Sequence, residues 1–209
     1  MNTMKVKNAF VATLILCGLS LPTTAAGASL APGAAVSPAV TSPSEPARTG
    51  SRAANALDTL ADKVTQLVRE KHPKAVLWMA AGESPSGPTQ DMAKMTKWIF
   101  VYNTMEEEGD VASVRVEADI DGTVREVEER RHPFWGVDAI GTTRVGMTQA
   151  EAFEKLKQTE PNAAYQYSAL VRPASDEGDA HREWRFNNGE HGACGYGVDV
   201  EDGSVSWYC

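Results

Sequence analysis

The chain has 209 residues, enough for one or two domains, and its formal charge at pH 7 is −8. An acidic surface repels phosphate backbones and anionic lipid head groups. We therefore expect neither nucleic acid nor a membrane surface to be the main partner.

Residues 1–28 have the layout of a secretory signal peptide. Lys5 and Lys7 precede an apolar run at 9–21, and small residues at 26–28 form an A-x-A cleavage site. The run is too short for a membrane anchor, because crossing ~30 Å of hydrocarbon takes a helix of about 20 apolar residues. We therefore expect cleavage and a secreted or periplasmic protein, whose charge becomes about −10 when both lysines are removed.

A lipoprotein anchor is the alternative at this end, with Cys17 as the lipidated first residue. A lipobox has Gly, Ala or Ser just before its cysteine, whereas Leu16 stands there in this chain. We therefore expect Cys17 to be removed with the signal peptide. Cys194 and Cys209 then remain in an oxidising compartment, where a pair of cysteines normally forms a disulfide.

The folded part is predicted to begin at residue 53, after a linker. Residues 29–52 are mainly Ala, Pro, Ser, Thr and Gly, and they cannot bury enough apolar surface to offset the entropy of ordering, so we predict a disordered linker. An amphipathic helix follows, with Asn55 as its N-cap and a stop at Pro73. Its apolar face consists of Leu57, Leu60, Ala61, Val64, Leu67 and Val68.

Strand patterns fill the rest of the first half. We predict strands at 75–80, 97–103 and 112–120 from their β-branched and aromatic residues and their alternation. The segment 97–103 is apolar on both of its sides. Asp121-Gly122 favours a type I′ hairpin turn, because both central positions need residues that tolerate positive φ, and Val124 starts the returning strand.

The second half has the same order of elements. Residues 148–151 form a capping box that opens a short helix. A Trp-bearing strand at 184–186 and an Asp-Gly turn at 202–203 then match those of the first half. We therefore predict an α+β fold of two tandem repeats, 53–131 and 132–209, each a helix packed on an antiparallel β-sheet.

The expected disulfide between Cys194 and Cys209 constrains the last hairpin. With a two-residue turn at 202–203, Cys209 faces Tyr196 rather than Cys194. A disulfide needs Cα atoms within about 4.4–6.8 Å of each other. We therefore predict a bulge at one of the two glycines that follow Cys194.

No motif for a catalytic, cofactor or metal site is present. The chain lacks GxSxG, GxGxxG and GxxxxGK[ST], and its four histidines form no HExxH. Glu190, His191 and Cys194 suggest a catalytic cysteine, but a disulfide explains Cys194 more simply. We predict a protein without enzymatic activity, cofactor or metal, with a secreted hydrolase that uses dispersed acidic residues as the alternative.

The segment between the predicted repeats supplies the candidate partner-binding residues. It contains His132, Phe134 and Trp135, and a pair of aromatic residues in a loop can anchor a partner protein. The alternative role for this pair is packing between the two repeats. We expect a monomer that binds another secreted or envelope protein.

The order of helix, proline, strand, Trp-bearing strand and Asp-Gly hairpin resembles the PepSY-like domain family. The resemblance rests on residues 57–75, 98–102 and 119–124 in the first half and on 148–163, 184–186 and 198–205 in the second. It implies a helix packed on an antiparallel sheet and a non-catalytic role. Such roles include the inhibitory or chaperone part of secreted metalloprotease propeptides and the regulation of envelope enzymes.

A shorter resemblance involves residues 145–151, which are similar to the helix-entry motif of the β-lactamase inhibitory proteins. It implies inhibition through a concave sheet surface. The two resemblances together lead us to expect an inhibitor or chaperone of an extracellular or periplasmic enzyme, such as a peptidase. The hydrolase and an envelope structural or small-ligand-binding module are the alternatives.

Overall fold

The computed structural model describes residues 49–105, 111–174, 180–189 and 193–209. Within these residues the chain forms two helices, α1 (Thr49–Lys71) and α2 (Gln149–Thr159). The strands are β1 (Val76–Glu83), β2 (Lys97–Asn103), β3 (Ser113–Asp119), β4 (Val124–Arg130), β5 (Val137–Asp138), β6 (Tyr167–Pro173), β7 (Glu183–Asn187), β8 (Gly195–Asp199) and β9 (Val205–Tyr208). The predicted signal peptide and residues 29–48 of the predicted linker lie outside the described residues.

The nine strands of the described chain form one antiparallel sheet. Its order is β4-β3-β2-β1-β6-β7-β8-β9, with the short β5 paired to β6. β1 and β6 pair directly, with Ala80 opposite Leu170 and Ala81 opposite Ala169. The predicted architecture of two tandem repeats, each a helix on its own sheet, is therefore wrong. A separate sheet would leave the outer edge of β1 unpaired, and β6 satisfies the backbone groups along that edge.

Both helices pack on the same face of this sheet and share one apolar core. Trp98 and Phe100 of β2, Trp184 of β7, Val64 of α1 and Phe153 of α2 all belong to this core and are almost completely buried. Alternation along β2 places every second residue in the core and the others on the opposite face, whereas a register shift in β1 puts both Trp78 and Met79 on the opposite face. We call that opposite face, turned away from α1 and α2, the open face.

The start of α2 is as predicted, whereas α1 begins earlier than predicted. The capping box of α2 is present, with Thr148 and Glu151 each bonded to the other's backbone amide. α1 begins at Thr49, before the predicted N-cap at Asn55, because the apolar spacing that marks the helix starts only at Leu57. Although α1 has 23 residues, no helix among those described is long and apolar enough to cross a membrane.

The two Asp-Gly hairpins have longer loops than predicted. After β3, the Asp119 amide donates to the Thr123 carbonyl over 2.8 Å, and Gly122 has a φ of +92° whereas Asp121 has no positive φ. The turn is therefore a three-residue loop with glycine in the left-handed position, not a type I′ turn. After β8, the Asp199 amide donates to the Ser204 carbonyl over 3.0 Å, so this loop contains four residues.

The longer loop removes the need for a bulge beside the disulfide. Gly195 lies opposite Tyr208, and the pairing of β8 with β9 continues without a shift of register. The predicted bulge is therefore wrong. The next cross-strand pair is Cys194 and Cys209, which form a disulfide with their Cα atoms 4.2 Å apart.

Reduction of this disulfide is expected to destabilise the fold. The two cysteines are separated by 15 residues, and closing a loop of that length stabilises by about 3 kcal/mol through the entropy of the unfolded chain. For a domain of this size, the melting temperature in dithiothreitol should fall by about 6–12 °C. A variant with both cysteines replaced by serine should melt at the lower temperature with or without reductant. An unchanged melting curve of the reduced wild type would contradict this expectation.

Alkaline pH is expected to weaken the contact between α1 and β2. Burial raises the pKa of the Tyr102 phenol from 10.0 to about 12. A hydrogen bond with Thr65 has the opposite, smaller effect on this pKa. The native state thus holds this proton more tightly than the unfolded chain, so the stabilisation is complete below pH 10 and is lost as the pH rises from about 10 to about 12.

The Tyr102→Phe variant lacks this titration. Between pH 8 and pH 11, its free energy of unfolding in urea should fall by about 1 kcal/mol less than that of the wild type. Equal losses in the two proteins would show that Tyr102 does not contribute to the alkaline sensitivity.

Candidate binding groove on the open face of the sheet

The open face has an apolar centre formed mainly by β1, β2 and β6. These strands carry apolar residues on both faces: one set lies in the main core, and the other set lies on the open face. The buried members of the centre are Met79, Ala81, Val101, Val137 and Val171, with Trp78, Ile99, Phe134 and Ala169 packed around them. We call this set the open-face cluster.

Residues 132–136 form a loop that crosses one end of the open face. Ser113 donates its hydroxyl to the His132 carbonyl over 2.7 Å. The buried Asn103 side chain binds the backbone of Phe134 twice, accepting from its amide at 2.8 Å and donating to its carbonyl at 3.2 Å. β5 then continues the loop by pairing with the end of β6. The loop is therefore fastened to β2, β3 and β6.

A groove with a volume of about 850 Å³ lies between this loop and the sheet. Its floor is the open-face cluster, and Trp135 projects from its rim with 75% of its surface exposed. The described lining contains no acidic side chain, although the chain has a net charge of −8. The basic residues of the lining are Arg115, Arg130, Arg131, His132 and Arg185.

Ion pairs hold several of these basic side chains just outside the apolar floor. Arg115 is hydrogen-bonded to Glu117 and lies 3.8 Å from Glu126. Arg130 donates to Glu128 over 2.6 Å, and this hydrogen bond holds the pKa of the Glu128 carboxyl below its ordinary value. Glu117 is on β3, and Glu126 and Glu128 are on β4, and none of the three lines the groove.

Arg185 is held on the other side of the groove by β7 and β9. Its Nε donates to Glu183 over 2.5 Å, and its guanidinium carbon lies 4.5 Å from the centre of the Tyr208 ring. The Tyr208 hydroxyl in turn accepts a hydrogen bond from Asn187 over 2.9 Å. Burial raises the pKa of this phenol above its ordinary value of 10.0, at which the ring is already neutral at physiological pH. Arg185 thus has a fixed orientation on a neutral aromatic surface.

The structure places the three candidate partner-binding residues together. His132, Phe134 and Trp135 all line the groove. Phe134 packs on the open-face cluster, whereas Trp135 points outward. The other predicted site, the cysteine pair, lies one step beyond Tyr208 at the end of the β8–β9 ladder.

Several residues of the groove were not recognised in the sequence. Arg115, Arg185 and Tyr208 were not among the predicted site residues, because charged and aromatic residues on strands have no local motif. One signal was available, since the segment 97–103 is apolar on both sides and a strand covered on only one face alternates between apolar and polar.

A second cavity lies on the helix side of the sheet, between α1 and α2, and has a volume of about 350 Å³. The indole N–H of Trp98 donates to the Met95 carbonyl at 2.9 Å, and that of Trp184 donates to the Met147 carbonyl at 3.0 Å. These two large side chains therefore have no free polar atom to offer a ligand. The groove on the open face is the larger of these two cavities, and its lining contains the basic residues.

The described residues offer little that resembles a catalytic centre. His181 lies between two carboxylates, with Nδ1 3.0 Å from Asp199 and Nε2 3.6 Å from Glu201, at the exposed surface. No three His, Cys, Asp or Glu side chains of the described residues are placed to hold a metal ion. Cys194 is in the disulfide, and Glu190 and His191 lie outside the described residues. The hydrolase alternative stays a prediction.

Comparisons with known proteins add little to this geometry. No protein-family model matches the chain, and no curated protein matches its sequence. The fold can be superposed on the solved structure of a "putative lipoprotein" from Clostridium difficile 630, with 13% sequence identity and a TM-score of 0.39, over 68% of this chain and 87% of that chain. The resemblances to PepSY-like domains and to β-lactamase inhibitory proteins stay predictions.

Replacing Asn103 by Ala should release the loop over the groove. The substitution leaves the Phe134 amide and carbonyl without their partner, and an unpaired buried backbone group costs about 1–3 kcal/mol. We expect a loss of that size in the free energy of unfolding, together with faster hydrogen exchange of the Phe134 amide.

Asn188→Ala is the matched control for this variant. Asn188 also binds backbone twice, at Gln166 and Ala164, but it is exposed and does not line the groove. It should leave exchange at Phe134 unchanged. Wild-type exchange at Phe134 in the Asn103→Ala variant would contradict the role of Asn103.

Proposed function

We propose that this chain is a secreted, non-enzymatic binding protein whose open face takes up part of another extracellular or periplasmic protein. The most direct partner is an enzyme, such as a peptidase, that the protein inhibits or escorts. Secretion rests on the layout of residues 1–28, and inhibition or escort rests on the two family resemblances.

The groove is the observation that carries this proposal. One face of the sheet is covered by α1 and α2, whereas the other combines an apolar floor, a rim of basic side chains and an exposed tryptophan. Protein interfaces have the same composition, with an apolar centre, a polar rim and enrichment in Trp, Tyr and Arg.

The fixed geometry of the groove also favours binding. The loop at 132–136 is fastened at both ends to strands of the sheet, so Trp135 is presented from a rigid frame. A surface that is ordered before it meets its partner loses less conformational entropy on binding. The groove can therefore act as a preformed receptor for a protruding part of the partner.

Trp135→Ala should strongly weaken the capture of such a partner. The mature chain, immobilised and exposed to native secretions or periplasmic extract, is expected to retain a protein that mass spectrometry identifies. Truncation of a tryptophan anchor costs about 2 kcal/mol or more, so the affinity of the purified partner should fall at least tenfold.

Trp207→Ala is the matched control. Trp207 is 61% exposed, but it packs edge-to-face against Tyr196 and lies outside the groove. It should bind the partner as the wild type does. The proposal would be overturned if no protein is retained under any growth condition, or if the two variants lose affinity equally.

The activity of the captured partner separates the two roles. An inhibitor lowers the activity of the partner in proportion to occupancy, whereas an escort raises the yield of active partner on refolding. If the retained protein is unaffected in both assays, the enzyme-directed part of the proposal is wrong.

A further inference from the structure

The lining of the groove is basic although the protein as a whole is acidic, and three of its arginines, Arg115, Arg130 and Arg185, each pair with a carboxylate that does not line it. Five basic side chains and no acidic one line the described groove, while the chain carries a net charge of −8. A concave, low-dielectric site lined by one sign of charge concentrates the field that it presents to a partner. The groove therefore favours a partner segment that carries negative charge.

The register of the sheet sets two arginines on opposite sides of the apolar floor. Arg115 of β3 lies beside Val101 of β2, and Arg185 of β7 lies beside Ala169 of β6. β2, β1 and β6 lie between them, so the arginine backbones are four strand spacings apart, or about 19 Å. A segment that crosses the strands can place an apolar side chain on the floor and reach an arginine.

Arg185 is the better anion receptor of the two. Arg115 already lies beside two carboxylates, Glu117 and Glu126. Arg185 uses only Nε for Glu183 and the face of its guanidinium for Tyr208, so its two terminal nitrogens make no hydrogen bond to any described residue. A planar guanidinium with two free terminal nitrogens is suited to bind a carboxylate through parallel hydrogen bonds.

Gly197 contributes to this orientation. It lies opposite Arg185, and a Cβ at this position would come within 2.7 Å of a Glu183 carboxylate oxygen. The missing side chain lets Glu183 lie along the strand and hold the Nε of Arg185. Glu183 therefore holds the Nε of Arg185, while the two terminal nitrogens stay available to a ligand.

We infer that the groove binds an internal segment of a partner protein in which an Asp or Glu side chain pairs with Arg185 beside a large apolar side chain on the open-face cluster. This inference rests on the proposed function and specifies the chemistry of the partner. A second copy of the chain and an inorganic anion are the other possible occupants, and the test distinguishes them.

The probe is a random 12-residue peptide library displayed on phage as an amino-terminal fusion, so that no displayed peptide has a free carboxyl terminus. Peptides enriched on the mature protein are synthesised with acetylated and amidated ends, which removes their terminal charges. We expect enriched sequences that combine Asp or Glu with a nearby Leu, Ile, Phe or Trp. Binding is measured by fluorescence anisotropy at two salt concentrations.

Arg185→Ala should weaken these peptides at least roughly tenfold, because it removes one partner of a desolvated charge pair. Arg185→Lys should also weaken them, since an ammonium keeps the charge but not the planar pair of donors. Arg144→Ala is the control, because Arg144 pairs with Asp62 outside the groove. Melting curves of all three variants show whether each is folded.

A double-mutant cycle separates direct contact from a structural effect. The acidic residue of the peptide is changed to its amide and tested with wild type and Arg185→Ala. Direct pairing predicts that the peptide change costs several-fold in the wild type and little in the variant. Additive losses would overturn the pairing with Arg185.

The remaining outcomes are also decisive. Peptides that require Trp135 but lack acidic residues, or that ignore Arg185, would overturn the inference and leave the proposed function standing. If Trp135→Ala leaves peptide binding unchanged, both the inference and the proposed function are wrong. If the protein dimerises with increasing concentration and Arg185→Ala abolishes this, the occupant of the groove is a second copy of the chain and the inference is wrong. If millimolar phosphate or sulfate alone displaces the peptides, the site binds a small anion and the inference is also wrong.

Discussion

The pairing of β1 with β6 is the interaction on which the rest of the structure depends. It joins the strands that follow α1 to those that follow α2, with Ala80 opposite Leu170 and Ala81 opposite Ala169. The first pair belongs to the core under the helices, and the second belongs to the open-face cluster, where Ala169 lines the groove. One ladder of hydrogen bonds therefore makes both a shared core and a continuous open face, and without it the floor would be split between two sheet edges.

The two faces of this sheet differ in what covers them. On one face the chain supplies its own cover, because α1 and α2 bury the large aromatic residues of β2 and β7. On the other face, among the residues that the structure describes, the loop at 132–136 and β5 cross the apolar centre. The Asn103 bonds hold this loop, and Glu183 and Tyr208 hold Arg185, so apolar, cationic and aromatic groups are fixed around one cavity. That arrangement is the basis of the binding role proposed for the open face.

Local features were predictable from the sequence, whereas long-range pairing was not. The capping box at Thr148 and the strand at 97–103 follow from residue spacing, because neighbours in the chain determine them. β6 was not recognised, since Tyr167–Pro173 has neither clear alternation nor turn residues at both ends, and its position beside β1 depends on residues 80 or more positions away. The same limit applied to the last hairpin, where a four-residue loop in place of a two-residue turn changed every cross-strand partner.

The most direct test of one continuous sheet with one continuous open face is native-state hydrogen exchange at the junction of β1 and β6. We expect the hydrogen-bonded amides of 80–82 and 168–170 to exchange only through global unfolding, with the same free energy of opening as those of Phe100 and Phe186 on either side. If the junction amides open at a much lower free energy than these flanking strands, the two halves are separate units and the continuous groove does not exist.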